Sequence, residues 1–324
     1  MGLQAISLGE MLIDFVAQDQ GRLRDVSGFV KHPGGAPANV AVGLSRLGVS
    51  TGFIGKLGDD EFGRFLHGVL CENNVETSGV RFTDQAHTAL AFVSLTAQGE
   101  RDFVFYRHPG ADELLGEADI DPAYLGQAKL LHAGSLSLTH PCARAATRFA
   151  VEQAKAQGLI FSFDPNVRPA LWADAAALKQ AVSDLLPLAD IVKLSLEDAL
   201  FLLGDGSPVD LLDVLFSTVA PKLLILTLGK RGCLYRMSLF QGHHTGFEVD
   251  ALDTTGAGDG FMAGLLAYLI GHGALDALEA LSEVTLDDAL TYAQAVAALT
   301  VMRQGAISAL PDASQVDAFL NALR

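Results

Sequence analysis

Nine residues in the last quarter of the chain hold the chemistry most worth explaining: Asp253-Thr254-Thr255-Gly256-Ala257-Gly258-Asp259-Gly260-Phe261. Two aspartates, two threonines and three glycines stand directly before an apolar run, Phe261 to Leu269, that reads as a helix. A glycine turn opening a helix leaves several backbone N–H groups unpaired and aimed the same way. With the positive end of the helix dipole, that arrangement suits a phosphate. Asp259 would repel such an anion unless it has another task. The task open to it is to accept a proton from a hydroxyl that attacks the phosphate. A helix start capped by Asp or Thr, its glycines serving only the turn, accounts for the same residues, so the choice falls to the rest of the chain.

A second constellation lies near the N-terminus, Pro33-Gly34-Gly35-Ala36-Pro37-Ala38-Asn39-Val40-Ala41. Gly34 and Gly35 allow a backbone to approach a ligand closely. Asn39 enters an apolar helix for which Gly48 is the expected stop. Asp14 interrupts the apolar run Leu12-Ile13-Asp14-Phe15-Val16, either as the polar face of a half-buried strand or as a ligand contact. Acidic Asp59, Asp60 and Glu61 open another helix, where complementing the dipole is reason enough for them.

These residues need elements to carry them. Residues 88–96 and 102–107 read as a β-hairpin around Ala97-Gln98-Gly99-Glu100, closed by Arg107. Residues 17–32 read as mixed and polar. From residue 128 onward strands and helices alternate, with strands expected at Leu130–Gly134, Leu159–Asp164, Asp190–Leu194 and Leu223–Gly229. Alternation of this kind predicts an α/β fold with a doubly wound, mostly parallel sheet flanked by helices. The expected organisation is a single α/β domain over residues 1–324, with a small β-sheet lid formed by about 11–33 and 87–108. Ligands of such sheets lie beyond the carboxyl ends of the strands. Asp164, Asn166, Arg168, Lys193, Glu197, Thr227 and Gly229 all fall close after strands, and would gather there with the 253–261 stretch.

The totals exclude several classes. A net charge of −16 argues against nucleic acid or an anionic membrane as partner. No apolar run reaches the roughly 18 residues of a membrane span, and the N-terminus reads as a strand, so a cytoplasmic location is expected. Cys71, Cys142 and Cys233 show no paired spacing. There is no G-x-x-x-x-G-K-[ST], H-E-x-x-H or G-x-S-x-G. What remains is phosphoryl transfer without a P-loop, which is mostly positioning and charge stabilisation. The parts are an anion-binding helix start (Gly256, Ala257, Gly258), a base (Asp259), a cation (Arg168, with Lys193) and a carboxylate to hold magnesium through water (Glu197).

From end to end the chain resembles the ribokinase-like, or PfkB, carbohydrate kinases. Gly34-Gly35-Ala36-Pro37-Ala38-Asn39-Val40-Ala41 is similar to one signature of that family and Asp253 to Asp259 to the other. The resemblance implies an ATP-dependent kinase acting on a sugar hydroxyl, with Asp259 as proton acceptor and the amides of Gly256, Ala257 and Gly258 holding the phosphoryl group. It implies nucleotide contacts at Thr227, Gly229 and Gly232, with Gln294 near the adenine. It places Glu197 at the acidic position of an Asn-x-x-Glu motif, although Leu194 stands where the asparagine would be. The segments 9–15, 33–39, 88–93 and 105–107 are most similar to bacterial fructokinases, for which ATP and Mg2+ are implied and fructose is phosphorylated at its 6-hydroxyl. Asp14, Gly34, Gly35, Asn39 and Arg107 would then hold the sugar. Kinases of 2-keto-3-deoxygluconate and aminoimidazole riboside share much of the pattern, and a non-catalytic sugar or nucleotide sensor on this fold is the reading from a different class. The resemblance also implies a monovalent cation, K+, at Asp253, Thr255, Thr300, Arg303, Gly305 and Ala309. An open lid sheet leads to the expectation of a homodimer paired through the lid.

Overall fold

The computed structural model describes residues 2–95 and 101–323. In chain order its strands are β1 (Ala5–Leu8), β2 (Leu12–Ala17), β3 (Phe29–Gly34), β4 (Thr51–Gly58), β5 (Glu76–Thr83), β6 (Leu90–Leu95), β7 (Arg101–Tyr106), β8 (Leu130–Gly134), β9 (Ile160–Asp164), β10 (Ile191–Ser195), β11 (Leu223–Thr227), β12 (Cys233–Arg236) and β13 (Gln241–His244). They form two sheets. The larger runs β13-β12-β11-β10-β9-β8-β1-β4-β5. Its pairs are parallel from β11 to β5, while β12 and β13 add an antiparallel edge.

The apolar runs of the central strands follow from burial on both faces. In β11, Leu224 and Leu226 enter one core with the helix Pro141–Ala156 and the helix Ala175–Leu185. Leu223 and Ile225 point the other way, into a core shared with the helices Ala257–Gly271 and Glu283–Val301. The helix Ala257–Gly271 is buried from Asp259 through Ala267, which is why its sequence is apolar on every side rather than on one stripe. Among the described residues no single helix is long and apolar enough to cross a membrane; Ala257–Gly271 passes by composition only together with Ala274–Ala280, across a 96° bend.

The second sheet has the order β3-β2-β6-β7, with β2 parallel to β6 and the other pairs antiparallel. It contains the hairpin read from residues 88–107; the loop Ala97–Glu100 lies outside the described residues. The structure corrects one stretch. Residues 29–32, read as part of a mixed polar segment, belong to β3, which pairs with β2 from Phe29–Ala17 to Gly34–Leu12. Its side chains are only half buried, with Lys31 lying over the Phe65 ring, so period-2 hydrophobicity is weak there. β5 and the β12–β13 edge are likewise additions to the strands expected.

Candidate active site

The site is built where the carboxyl ends of β9, β10 and β11 meet the helix starts Ala36 and Ala257. Gly256 opens the later helix in the left-handed region (φ 78°), and no side chain caps it. Ala257 N donates to Thr254 O at 3.3 Å, closing the turn that presents the helix start. Asp259 falls in the first turn and is 8% exposed. Its carboxylate meets Asn39 of the helix Ala36–Arg46, whose Nδ2 donates to Asp259 Oδ2 at 2.7 Å across 220 positions of sequence. Asn39 Oδ1 is buried without a partner among the described residues. Burial pushes the Asp259 carboxyl up to about 6; the Asn39 hydrogen bond, Lys193 and Arg168 pull against that rise, and Asp164 adds to it.

Asp14 reaches the same place from β2. Its carboxylate occupies the space a side chain on Gly34 would need. Burial raises its pKa to about 7, with Arg168 opposing and Asp259 reinforcing. Gly35 takes φ 113° and packs on the backbone of Glu10 and Met11, where no Cβ fits. The two sequence constellations thus face each other.

Lys193 does not follow its strand but lies inside β10, third in Ile191–Ser195. Its Nζ donates to Asp164 Oδ2, at the end of β9, at 2.6 Å, and both side chains are 5% exposed. The ammonium also packs against Gly258. Burial lowers the Lys193 pKa, but Asp164, Asp198 and Asp259 outweigh it and hold the group charged. Asp164 Oδ1 is buried with no partner among the described residues. Arg168 is exposed just beyond β9, where its field reaches Asp14 and Asp259. Thr227 ends β11 and donates to Leu194 O at 3.3 Å, while Gly229 and Gly232 take left-handed φ of 61° and 89° around the following turn. Gln294 is buried on the helix Glu283–Val301, beside Cys233 of β12.

Two further placements differ from the sequence reading. Glu197 sits in the first turn of the helix Leu196–Leu203 but points to solvent. The acid turned inward is Asp198. It forms a capping box with Ser195 and accepts the Val167 N–H at 3.0 Å. The pattern Ser195-x-x-Asp198 is a capping-box signature readable in sequence, so a signal for an inward-facing acid was present one residue on. Arg107 is the other. It is 2% exposed, and its guanidinium is committed to Asp112 (Nε–Oδ2 2.8 Å and Nη2–Oδ2 2.5 Å), Thr139 Oγ1 (3.0 Å) and Leu136 O (3.1 Å), with Glu113 at 3.5 Å. Just past β7, its guanidinium is turned to Asp112, Thr139 and Leu136 rather than left free for a sugar. Asp164 and Glu10, buried and each with an orphaned carboxylate oxygen, are the remaining site acids that sequence reasoning left without a role.

Of the residues expected at a monovalent cation, the structure joins three. Asp253 Oδ1 accepts Thr255 N (2.9 Å) and Oγ1 (2.7 Å), and its Oδ2 accepts Gly305 N at 3.0 Å. Thr300 is buried, its hydroxyl donating to Val296 O, and Ala309 is buried on the short turn Ile307–Ala309. Arg303 is exposed, with Nη1 3.5 Å from Gln315 Oε1.

Residues 3–313 match the profile of the pfkB family carbohydrate kinases. The chain belongs to that family. This carbohydrate kinase is 45% identical over 322 residues to a probable fructokinase-7 of Arabidopsis thaliana, covering 98% of this chain and 93% of the relative. Its fold is that of a fructokinase from Xylella fastidiosa solved with bound ATP, at a TM-score of 0.88 and 35% identity over 100% of this chain and 99% of that one. A fructokinase from Vibrio cholerae, solved with fructose, ADP and calcium ion, superposes with a TM-score of 0.88 and 33% identity over 98% and 99% of the two chains. The kinase has the family's ribokinase-like architecture, a large sheet between helices and a separate four-stranded sheet.

Proposed function

We propose that this kinase transfers the γ-phosphoryl group of ATP to the 6-hydroxyl of D-fructose. The observation that carries the reading is the buried Asn39–Asp259 hydrogen bond, which joins the two constellations into one acceptor site. Asn39 engages Asp259 Oδ2, so Oδ1 is left to take the hydroxyl proton. The raised Asp259 pKa, about 6, keeps the group ionised at neutral pH yet basic enough to accept that proton. The Gly256–Gly258 helix start then receives the phosphoryl group, and Lys193 and Arg168 balance its charge. Thr227, Gly229, Gly232 and Gln294 would flank the nucleotide.

A neutral sugar is favoured over 2-keto-3-deoxygluconate. Arg107 is neutralised by Asp112 and Glu113, and the acids Asp14 and Asp259 facing the acceptor place outnumber the one exposed cation among the described residues that reaches them, Arg168. A substrate carboxylate would enter against them. The family likeness to fructokinases points the same way.

A divalent cation fits the acids on the nucleotide side. Asp164 presents a buried oxygen with no partner among the described residues, and both Asp164 and Asp198 act on the buried Lys193. Among the described residues no three-ligand His, Cys, Asp or Glu cluster exists. Mg2+ takes one or two carboxylates and completes its shell with phosphates and water. When bound, it neutralises charge on the transferring phosphates. For K+, Asp253 ties residue 255 to residue 305, so a cation there would rest on the backbone carbonyls of that loop. The lid leaves Val16, Val30, Val104 and Tyr106 partly or largely exposed, which supports pairing of two chains through it.

A coupled ADP-release assay with fructose, other hexoses, 2-keto-3-deoxygluconate and aminoimidazole riboside at saturating MgATP tests the assignment. Fructose should give the highest kcat/KM. Preference for the sugar acid, or turnover of none, would overturn it.

A further inference from the structure

The helix Ala36–Arg46 brings Asn39 to the site, yet its N-terminus lacks a cap of its own. Gly35 at the N-cap has no side chain, and Ala36 follows with its N–H unpaired within the helix. Glu10 supplies the acceptor from 26 positions upstream: its Oε1 takes the Ala36 N–H at 3.2 Å. The fit is close. The Glu10 carbonyl and Met11 Cα lie where a Cβ on Gly35 would stand, and Ser7 Oγ donates to Pro37 O at 2.7 Å from the preceding strand.

Glu10 also marks the root of the lid. The chain enters the lid at Met11, returns at Gly35, and returns a second time at Arg107. Ile13 N to Ala89 O (3.1 Å) and Ala111 N to His87 O (2.9 Å) tie the crossings together. Glu10 is 4% exposed and lies in the field of Arg107 and Asp112.

We propose that Glu10 is a positioning residue: its carboxyl group caps the helix Ala36–Arg46 and so fixes where Asn39 meets the sugar and Asp259. This rests on the fructokinase reading above. What the position needs is reach, not charge. Asp112 and Glu113 already neutralise Arg107, and burial raises the Glu10 carboxyl to about 7, with Arg107 opposing and Asp112 adding to the rise. An amide of the same length would therefore serve, and a carboxylate one methylene shorter would not.

The experiment compares Glu10→Gln and Glu10→Asp with wild type, measuring KM for fructose and for MgATP separately, kcat, and the melting temperature. Glu10→Gln should keep both KM values within about threefold of wild type. Glu10→Asp should raise the fructose KM by about tenfold, the order expected when a buried amide loses its acceptor, with the MgATP KM within about twofold. Three results overturn the proposal: Glu10→Asp equal to wild type, Glu10→Gln the more impaired of the two, or both KM values rising together in step with a lost melting transition. A wild type that phosphorylates no sugar overturns the functional reading as well, whereas an active wild type with an unaffected Glu10→Asp overturns the positioning role alone.

Discussion

Replacing Asn39 by Leu keeps the branched outline of a buried side chain, at a larger volume, and removes one hydrogen bond, the 2.7 Å contact to Asp259 Oδ2. That bond is donated to the ionised carboxylate, so it favours the charged form, and its loss must raise the Asp259 pKa. A buried hydrogen bond to a charged group contributes about 1.5–3 kcal/mol. At about 1.4 kcal/mol per pKa unit, the displacement is about one to two units. From a starting value of about 6, the acid limb of kcat/KM moves to about 7–8. If the new midpoint is about 7.5, the ionised fraction at pH 6.5 drops roughly eightfold, and the gap closes by about pH 9. Asp14, Asp164, Lys193 and Arg168 face Asp259 in both proteins, so the difference between profiles isolates the lost bond. The measurement is ADP release from pH 5.5 to 9.5 with fructose varied at saturating MgATP. On the proposed reading Asn39 also contacts the sugar, so a uniform drop in kcat/KM is expected in addition. A uniform drop with an unmoved limb, or a limb moved to lower pH, would refute Asp259 as the titrating base held down by Asn39.

Three further outcomes are expected. Asp259→Asn should lower kcat by about 10²–10⁴-fold or more while calorimetric ATP binding persists; near-normal turnover would remove Asp259 from the role of base. Asp14 has its pKa raised from 3.8 to about 7, so its contribution to stability is present below 3.8 and lost as pH rises through 7. Asp14→Asn should thus raise the melting temperature by several degrees at pH 8, at roughly 2–4 °C per kcal/mol, and by less at pH 5, while fructose KM worsens; a lower melting temperature at pH 8 would contradict the burial argument. Glu197→Gln should leave the Mg2+ dependence of turnover unchanged, because Glu197 faces solvent, whereas Asp198→Asn should raise the Mg2+ concentration needed for half-maximal rate; the reverse order would restore the sequence-based choice of acid.

Much of this protein is written locally. The glycine-rich start at Gly256, the turn at Gly34-Gly35 and the alternation of apolar strands with helices after residue 128 are local signals, since left-handed turns and two-faced burial each demand particular residue types. They were enough to imply a parallel sheet with ligands at its carboxyl edge and to single out Asp259 and Asn39. Strand β3 left a weak trace because its side chains are only half buried and its partner β2 supplies the register.

Tertiary structure decided which charges remain available. Sequence spacing names Arg107, Lys193 and Glu197 as ionisable groups near strand ends, but a side chain's role depends on what is packed against it from elsewhere. Asp112 and Thr139 take Arg107, Asp164 takes Lys193, and the helix phase at Ser195 turns Asp198 inward and Glu197 out. The same holds for the hydrogen bond between Asn39 and Asp259. Each residue was legible alone, but only the folded chain brings them to 2.7 Å in a buried place, and that burial is what raises the Asp259 carboxyl to about 6.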